Sequence, residues 1–199
     1  MRAFLVALLI TPASAGSGLH AQVDFTARAG VTWATPLLRD DIIDEVEVRQ
    51  KLAPTLVLGA SLPMAPRYRA GLELTLTSSG YRASEGGSTT DLGTIRTGSV
   101  TLGLHGPVAE SVTWRAGVGL VGYFPKEETG IFQSGGTNRF LAGAGLDYRR
   151  RMSSSWQLIG SLRYDFHRFT TEELESRGFS QSQGVQRISA TVGIARAPR

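Results

Sequence analysis

Cysteine is absent from this sequence, so neither a disulfide nor a thiolate metal site can form. No apolar run approaches the ~20 residues that a membrane-spanning helix needs, which excludes a helical membrane protein. No long basic tract is present, and a net charge of +4 is too small to indicate nucleic acid as a partner. The chain has 199 residues, enough for one domain with a sizeable core.

The N-terminus has the pattern of a secretory signal. Met1 and Arg2 give it a positive start, and residues 3–10 form an apolar segment too short to span a bilayer. Small residues allow cleavage after Ala15 or after Ala21, and the second position places the cut just ahead of the first strand pattern. We therefore predict a signal peptide over residues 1–21 and an exported domain over residues 22–199.

The dominant pattern in the rest of the chain is an alternation with a period of two. In residues 156–167, uncharged residues such as Trp156 and Leu162 alternate with polar ones such as Arg163 and Asp165. This period predicts a strand with two different faces, and the contrast favours lipid on one face and a polar lumen on the other. Eight segments show the pattern: residues 23–35, 48–62, 67–77, 91–105, 112–124, 139–149, 156–167 and 185–196.

The connections between these segments alternate in length. Residues 63–66, 106–111 and 150–155 are short turns, whereas residues 36–47, 78–90, 125–138 and 168–184 are longer and polar. Outer-membrane barrels have short periplasmic turns and longer external loops. An even number of strands also leaves both termini on the periplasmic side, and we expect that orientation here.

Aromatic residues on the apolar face are predicted to collect at two levels. The periplasmic level comprises Phe25, Tyr68, Trp114, Tyr148 and Trp156, and the outer level comprises Trp33, Phe124, Phe140, Tyr164 and Phe166. Two aromatic girdles around an aliphatic band are typical of outer-membrane barrels. Arg96 is an exception on this face, and we expect it near the interface, where a charge costs little.

Together these patterns predict an all-β fold, a single closed antiparallel up-and-down barrel of eight strands. The chain from 23 to 196 resembles the small eight-stranded outer-membrane barrels, the group that includes OmpX, OmpW and the OmpA membrane domain. The resemblance lies in the pattern, not in a diagnostic motif. It implies a monomer without cofactors in the bacterial outer membrane. Its partners would be membrane lipid, lipopolysaccharide and the barrel assembly machinery.

Two features bear on that resemblance. Such chains usually end in an aromatic residue that the assembly machinery reads, whereas this sequence ends Ala197, Pro198, Arg199. A soluble lipocalin-like barrel is the main alternative fold, because it also has eight up-and-down strands. It would place the apolar face inside and the charged face outside.

The polar face carries a set of charged residues that we predict to form a network in the lumen. Its members are Arg28, Glu73, Arg115, Arg139, Asp147, Arg163, Asp165, His167 and Arg187. The hairpin registers predict that Arg115 pairs with Asp147, that Arg187 and Arg139 approach Asp165, and that Glu73 reaches Arg28 or Arg163. The same alternation places Arg49 and Lys51 in the lumen. The network is interpreted either as a salt-bridged plug, because an unpaired buried charge costs several kcal/mol, or as a narrow anion-favouring pore.

Asp165 and His167 also raise the question of catalysis, since an acid beside a histidine suits general acid–base chemistry. Two families of eight-stranded barrels, the palmitoyltransferase PagP and the lipid A deacylase PagL, use a histidine. The segment around His167 lacks a His-x-Ser-Asn arrangement, and no serine stands in convincing register with it. We therefore predict a lumen histidine without a catalytic role, and keep a lipid A-modifying enzyme as an alternative.

Residues 36–47 are acidic and predict a solvated external loop. Clustered carboxylates there could alternatively share a divalent cation with lipopolysaccharide phosphates, although their spacing matches no calcium loop. The residues are Asp40, Asp41, Asp44, Glu45 and Glu47. Overall we predict an integral outer-membrane barrel with a structural, adhesive or surface-interaction role and no enzymatic activity. A narrow pore for small solutes, anions among them, is the second hypothesis.

Overall fold

The computed structural model describes residues 23–40, 46–85, 87–126, 132, 136–171, 174–175 and 183–196. The predicted signal peptide, residues 1–21, lies outside this part of the chain. Ten strands are present there: β1 (Asp24–Ala34), β2 (Leu38–Asp40), β3 (Val46–Gln50), β4 (Ala53–Ala65), β5 (Tyr68–Glu85), β6 (Ser88–Ala109), β7 (Val112–Pro125), β8 (Thr137–Arg151), β9 (Trp156–Phe169) and β10 (Gln183–Arg196). No helix within the described ranges is long and apolar enough to cross a membrane.

Eight of the strands form a closed ring. Around it, β1, β4, β5, β6, β7, β8, β9 and β10 follow one another, and β10 pairs with β1 again. Every neighbouring pair is antiparallel. The predicted all-β, eight-stranded up-and-down barrel is therefore confirmed.

The two faces of the barrel wall differ as the alternation predicts. On β9, Leu162, Tyr164 and Phe166 are exposed on the outside, whereas Arg163 and Asp165 are buried inside. Large apolar side chains are exposed on all eight strands of the ring, with Phe140 at 64% and Leu102 at 64%. This arrangement is the reverse of a lipocalin-like barrel, whose apolar face would be inside.

The ten predicted girdle aromatics all lie on the outward face. Nine of them are at least 40% exposed: Phe25, Trp33, Tyr68, Phe124, Phe140, Tyr148, Trp156, Tyr164 and Phe166. Trp114 is half-buried. A Cβ on Gly106 would meet its indole at 2.7 Å, and the ring of Tyr68 lies 6.4 Å away, so these neighbours cover part of it.

The predicted strand over residues 48–62 is in fact two strands, β3 and β4, with Lys51 and Leu52 between them. Gln50 pairs with Tyr81, and Thr55 pairs with Thr77. The five residue steps from Gln50 to Thr55 therefore lie opposite only four steps on β5. The extra residue is a β-bulge, and it exchanges the two faces of the strand. The predicted distortion near Pro54 therefore falls just before that residue.

Because of this bulge, three residues lie on the opposite face of the strand from the predicted one. Val48 is buried at 2% exposure, although the alternation predicts that it faces lipid. Arg49 and Lys51 are exposed and not in the lumen, where they were predicted. A strict period of two extends the inward and outward pattern of β4 back through the bulge, without the change of face that the bulge causes. All three predicted placements are therefore wrong.

The predicted loop over residues 78–90 is also wrong, because most of it is strand. Strands β5 and β6 continue to Glu85 and Ser88 and are joined by a tight turn in which Gly87 has a φ of 82°. Strand β3 pairs with β2 on one side and with the end of β5 on the other. We call β2, β3 and residues 79–95 of β5 and β6 the outer extension, since they continue the wall beyond the ends of the other strands.

Candidate functional site: the barrel lumen

The centre of the lumen holds Glu73 on β5. Its carboxylate accepts hydrogen bonds from Arg28 of β1, Arg115 of β7 and Arg163 of β9. Burial raises the cost of ionising Glu73, but three guanidinium groups from three different strands compensate it. The predicted contacts of Glu73 with Arg28 and with Arg163 are both present in this arrangement, and Arg115 is an additional partner.

A second carboxylate, Asp147 on β8, extends this cluster. Its Oδ1 lies 3.4 Å from Nε of Arg115 and 3.6 Å from Nη1 of Arg28. Ser161 connects the two sides, since its hydroxyl donates to Asp147 at 2.7 Å and accepts from Arg28 at 2.6 Å. Arg115 thus lies beside Asp147, the pair expected from the register of β7 and β8.

Asp165 has a different partner from those expected. Its Oδ1 accepts a hydrogen bond from Nε of Arg163 at 2.7 Å. Arg139 donates to the carbonyl oxygen of Thr170 at 2.7 Å, and Arg187 donates to the hydroxyls of Thr77 and Thr97. Arg187 lies directly across from Asp165 in the register of β9 and β10, as expected, although its guanidinium bonds to the two threonines. The expected approach of Arg139 to Asp165 is not seen among the described contacts.

We call Arg28, Arg115, Arg163, Glu73, Asp147 and Asp165 the central cluster. It contains three cations and three carboxylates and is thus neutral. Glycines on the inward face make room for it. A Cβ on Gly143 would stand 1.9 Å from Oδ1 of Asp165, and one on Gly145 would stand 3.1 Å from Nε of Arg115. The glycine-rich polar face therefore reflects the space that the long arginine side chains need.

Little free space remains around the central cluster. Two interior cavities of about 20 Å³ each are lined by Glu73 and its neighbours. A cavity of this size holds one water molecule. At the end of the barrel that has the short turns, a wider vestibule of about 710 Å³ contains Arg149, whose guanidinium pairs with Asp24 at 2.8 Å. His105 lines both this vestibule and the two small cavities, so the vestibule adjoins the region of the central cluster.

The outer half of the lumen contains His167 and Arg187. Nε2 of His167 lies 2.6 Å from the hydroxyl of Tyr123, and His167 is 1% exposed. Arg187 is also buried, and it forms no salt bridge within the described ranges. Asp165 and His167, adjacent on the inward face, are thus bonded to different groups.

Above these residues an apolar cluster, which we call the apolar seal, fills the outer end of the barrel. Its members are Ala34, Leu37, Leu38, Val48, Tyr81, Ile95, Val121, Tyr123, Phe132, Leu141, Phe169, Leu174 and Val185. The rings of Tyr123, Phe132 and Phe169 pack with centroids 5.1 to 6.3 Å apart. Sequence analysis missed this cluster, although Val121 and Leu141 interrupt the polar alternation of the inward face.

The acidic segment proposed as a cation site lies mostly outside the described residues. In the described part, Glu47 pairs with Arg49 at 2.7 Å. No group of three or more potential metal ligands occurs among the residues that the structure describes. On the outside of the barrel, a hydrogen bond from Lys51 holds the pKa of Asp91 below its usual value.

A closed ring leaves no sheet edge with unpaired backbone groups, which is the condition for strands to lie in lipid. With apolar side chains outside and charged side chains inside, this protein is a transmembrane β-barrel of the bacterial outer-membrane type. The outer membrane is thus its location, as the sequence predicts.

No protein-family model and no curated protein matches the chain. Solved structures with a similar fold include AlkL, an outer membrane protein determined in DMPC bilayers, with 13% identity over 92% of this chain and 93% of that one and a TM-score of 0.58. OprG from Pseudomonas aeruginosa has 13% identity over 89% and 97%, with a TM-score of 0.52. Ail of Yersinia pestis, in complex with the heparin analogue sucrose octasulfate, has 13% identity over 88% and 99%, with a TM-score of 0.50. At these identities the likeness establishes the fold.

Proposed function

We propose that this protein is a closed outer-membrane scaffold that conducts no solutes and presents its outer extension at the cell surface for structural or adhesive contacts. The observation that carries the proposal is the closure of the lumen at two levels. The central cluster blocks the middle, and the apolar seal blocks the outer end. Eight strands enclose a space just wide enough for side chains to fill.

The charge balance of the central cluster supports a plug over an anion-favouring pore. Glu73, Asp147 and Asp165 compensate the three arginines through direct contacts of the kind that stabilise buried charges. A permeating anion would have to displace one of these carboxylates. It would then have to cross the apolar seal, whose apolar side chains do not replace its water shell.

A surface role is supported by the composition of the outer extension. Its inward side chains, Val48, Tyr81 and Ile95, belong to the apolar seal and hold the strands together. Its outward side chains are polar, for example Arg82 and Thr90. An ordered polar platform at the end of a rigid barrel suits contacts with molecules outside the cell.

We also propose that the protein is not an enzyme. A histidine acting as a general base must lie within hydrogen-bond reach of the proton it removes from the substrate. His167 is buried under the apolar seal and engages Tyr123, and Asp165 engages Arg163. These contacts favour a structural histidine over a lipid A-modifying site.

Conductance across planar bilayers tests the proposal. We expect the purified full chain to insert without stepwise current. The two alternatives give different results: an anion-selective current would establish the narrow pore, and altered lipid A in mass spectra of cells producing the protein would establish the enzyme. Either result would contradict the closed scaffold.

The surface role has a separate test. We expect purified protein to bind to host or neighbouring cell surfaces less strongly after residues 84–89 are replaced by a Gly-Ser turn. Equal binding of the two forms would contradict the surface role.

A further inference from the structure

The lipid-facing wall of the barrel carries two grooves of different chemistry. The first, about 660 Å³, crosses β1, β4, β5, β6 and β7 and is lined on its outward side by Pro54, Leu56, Leu76, Arg96, Gly98 and Phe124. The second, about 770 Å³, crosses β4 to β9 and has no charged residue in its lining. We call the first the Arg96 groove and the second the alanine groove, since Ala116, Ala142 and Ala144 are among its lining residues.

Gly98 creates the open space in the Arg96 groove. A Cβ at this position would stand 3.5 Å from the ring of Phe124 and 3.6 Å from Cδ2 of Leu76. These are ordinary contact distances, so the backbone does not require glycine here. The lack of a side chain leaves a slot between Phe124 and Leu76, and its apolar walls suit a hydrocarbon chain.

Arg96 lies at the outer end of this groove beside the girdle residue Phe124, with which it pairs in register. It faces outwards and is exposed, and within the described ranges it forms no salt bridge or side-chain hydrogen bond. An exposed charge on a lipid-facing wall near the interface gains from an anionic partner in the membrane. The interior of the barrel provides none, because Arg96 points away from it.

Two lysines complete a basic cluster with Arg96. The next outward position on β6 is Thr94, about 7 Å along the strand. Lys51 flanks Thr94 on one side, since its Nζ lies 3.3 Å from the position that a Cβ of Gly80, the partner of Thr94, would occupy. Lys126 flanks it on the other side, where its backbone N–H donates to the carbonyl oxygen of Thr94 at 3.1 Å.

Among the described residues, Asp91 contacts this cluster, since it accepts a hydrogen bond from Lys51 at 3.0 Å. That contact compensates Lys51 in part. Arg96 and Lys126 have no such partner among the described residues, and Glu127 and Glu128, which follow Lys126 in the sequence, lie outside them. Arg96 is therefore the cation of this wall that the described residues leave without a carboxylate.

We propose that the Arg96 groove is a binding site for a phosphorylated, acylated glycolipid of the outer leaflet, with lipid A as its type. One acyl chain lies in the slot over Gly98, and a phosphate contacts Arg96 and Lys126. The apolar slot lies next to the basic cluster, just as an acyl chain lies next to a phosphate group in such a lipid. This site depends on the membrane location of the barrel and is independent of conductance or of a surface partner.

Native mass spectrometry of the full chain, released from nanodiscs that contain lipid A, measures the bound lipid directly. We expect one lipid A to be retained in preference to its dephosphorylated form. Arg96→Gln and Lys126→Gln should each reduce retention by about fivefold, as expected for one cation near a charged lipid surface. Arg96→Lys should keep most of the retention, because it preserves the charge.

Matched controls separate this site from general effects. Arg168→Gln removes an exposed cation from the outer end of β9, on the other side of the barrel, and should leave retention unchanged. Gly98→Leu fills the slot and should reduce retention although both cations remain. Gly160→Leu places the same side chain on the outward face of β9, where no atom lies within 4 Å of the added Cβ, and should have no effect.

Several results would overturn the proposal. Equal retention of lipid A and its dephosphorylated form would exclude a phosphate contact, and equal displacement by phosphatidylglycerol would indicate a general anionic-lipid effect. Equal losses for Arg168→Gln, or for Gly160→Leu, would show that the groove is not the site. Each variant is first checked for folding by its mobility in SDS with and without heating. If Arg96→Gln does not fold, Lys126→Gln and the two glycine variants still decide the question.

Discussion

Glu73 is the residue on which most of the central cluster depends, because three arginines converge on its carboxylate. We expect Glu73→Gln to lower the free energy of unfolding by about 3–5 kcal/mol, the usual cost of removing one partner from a buried ionic group. Urea titration of the refolded barrel in lipid vesicles measures this. Glu110→Gln, in the exposed turn between β6 and β7, is the control and should leave the midpoint unchanged. Equal midpoints for both variants would show that Glu73 does not hold the cluster together.

Arg187 should behave in the opposite way. It is buried, but its partners are the hydroxyls of Thr77 and Thr97, which also bond to each other. Arg187→Met removes a buried charge that forms no salt bridge with a described carboxylate, and it keeps most of the apolar stem of the side chain. We expect the free energy of unfolding to stay the same or to rise by about 1 kcal/mol. A fall as large as that of Glu73→Gln in the same titration would mean that Arg187 has an essential partner.

Individual residues of the lumen also show the limits of prediction from the sequence. The alternation is sufficient to indicate that Glu73 and Arg163 face inwards, because side-chain direction follows from a period of two. It does not indicate that Arg163, not Arg187, bonds to Asp165. Long arginine side chains reach several carboxylates, and the choice among them depends on the space that glycines such as Gly143 leave.

At the scale of single strands, the apolar and polar faces exchange places at the outer boundary of the bilayer. Within the membrane Leu76 faces outwards, whereas further along β5 Tyr81 faces inwards and Arg82 outwards. On β9, Phe166 faces outwards, whereas Phe169 is fully buried. The reason is physical: lipid favours apolar groups outside, and water favours them inside.

This exchange explains which strand ends the sequence does and does not predict. Strands β7, β8 and β10 lie largely within the bilayer and are predicted to within two residues. The alternation predicts a loop at the ends of β5 and β6, because the outward apolar residues stop where the phase reverses. In β3 the reversed phase is visible in the sequence, since the apolar Val48 faces inwards and Arg49 faces outwards.

The outer extension should be separable in stability from the rest of the barrel. Tyr81 is its largest fully buried side chain, and its hydroxyl donates to Gln50 at 3.1 Å. Tyr81→Ala should cost about 3–5 kcal/mol locally, as for other large aromatic truncations in cores. We expect faster proteolysis within residues 79–95 and an unchanged mobility shift on heating in SDS.

Tyr81→Phe is the matched control for that experiment. It removes only the hydrogen bond to Gln50, at a cost of about 1 kcal/mol, and should leave proteolysis nearly as slow as in the parent protein. If Tyr81→Ala is cleaved no faster than Tyr81→Phe, the apolar seal does not hold the outer extension together.

At the scale of the whole molecule, the lumen is divided into three layers. A wide vestibule opens at the end with the short turns, the neutral central cluster fills the middle, and the apolar seal closes the opposite end. The central cluster and the apolar seal oppose permeation for different reasons. The central cluster leaves no continuous space, whereas the seal withholds polar contacts from an ion.

These two barriers act in series, so opening one should not produce a pore. Tyr123→Ala with Phe169→Ala removes two large rings from the seal. Glu73→Ser with Arg163→Ser removes one carboxylate and one cation from the central cluster, so it remains neutral. We expect neither pair to produce current in planar bilayers, and the quadruple variant to produce it, because a current through barriers in series is limited by the one that remains closed. Current in one double variant alone would show that the level left intact in that variant is not a barrier. The level altered in that variant would then be the one that closes the barrel.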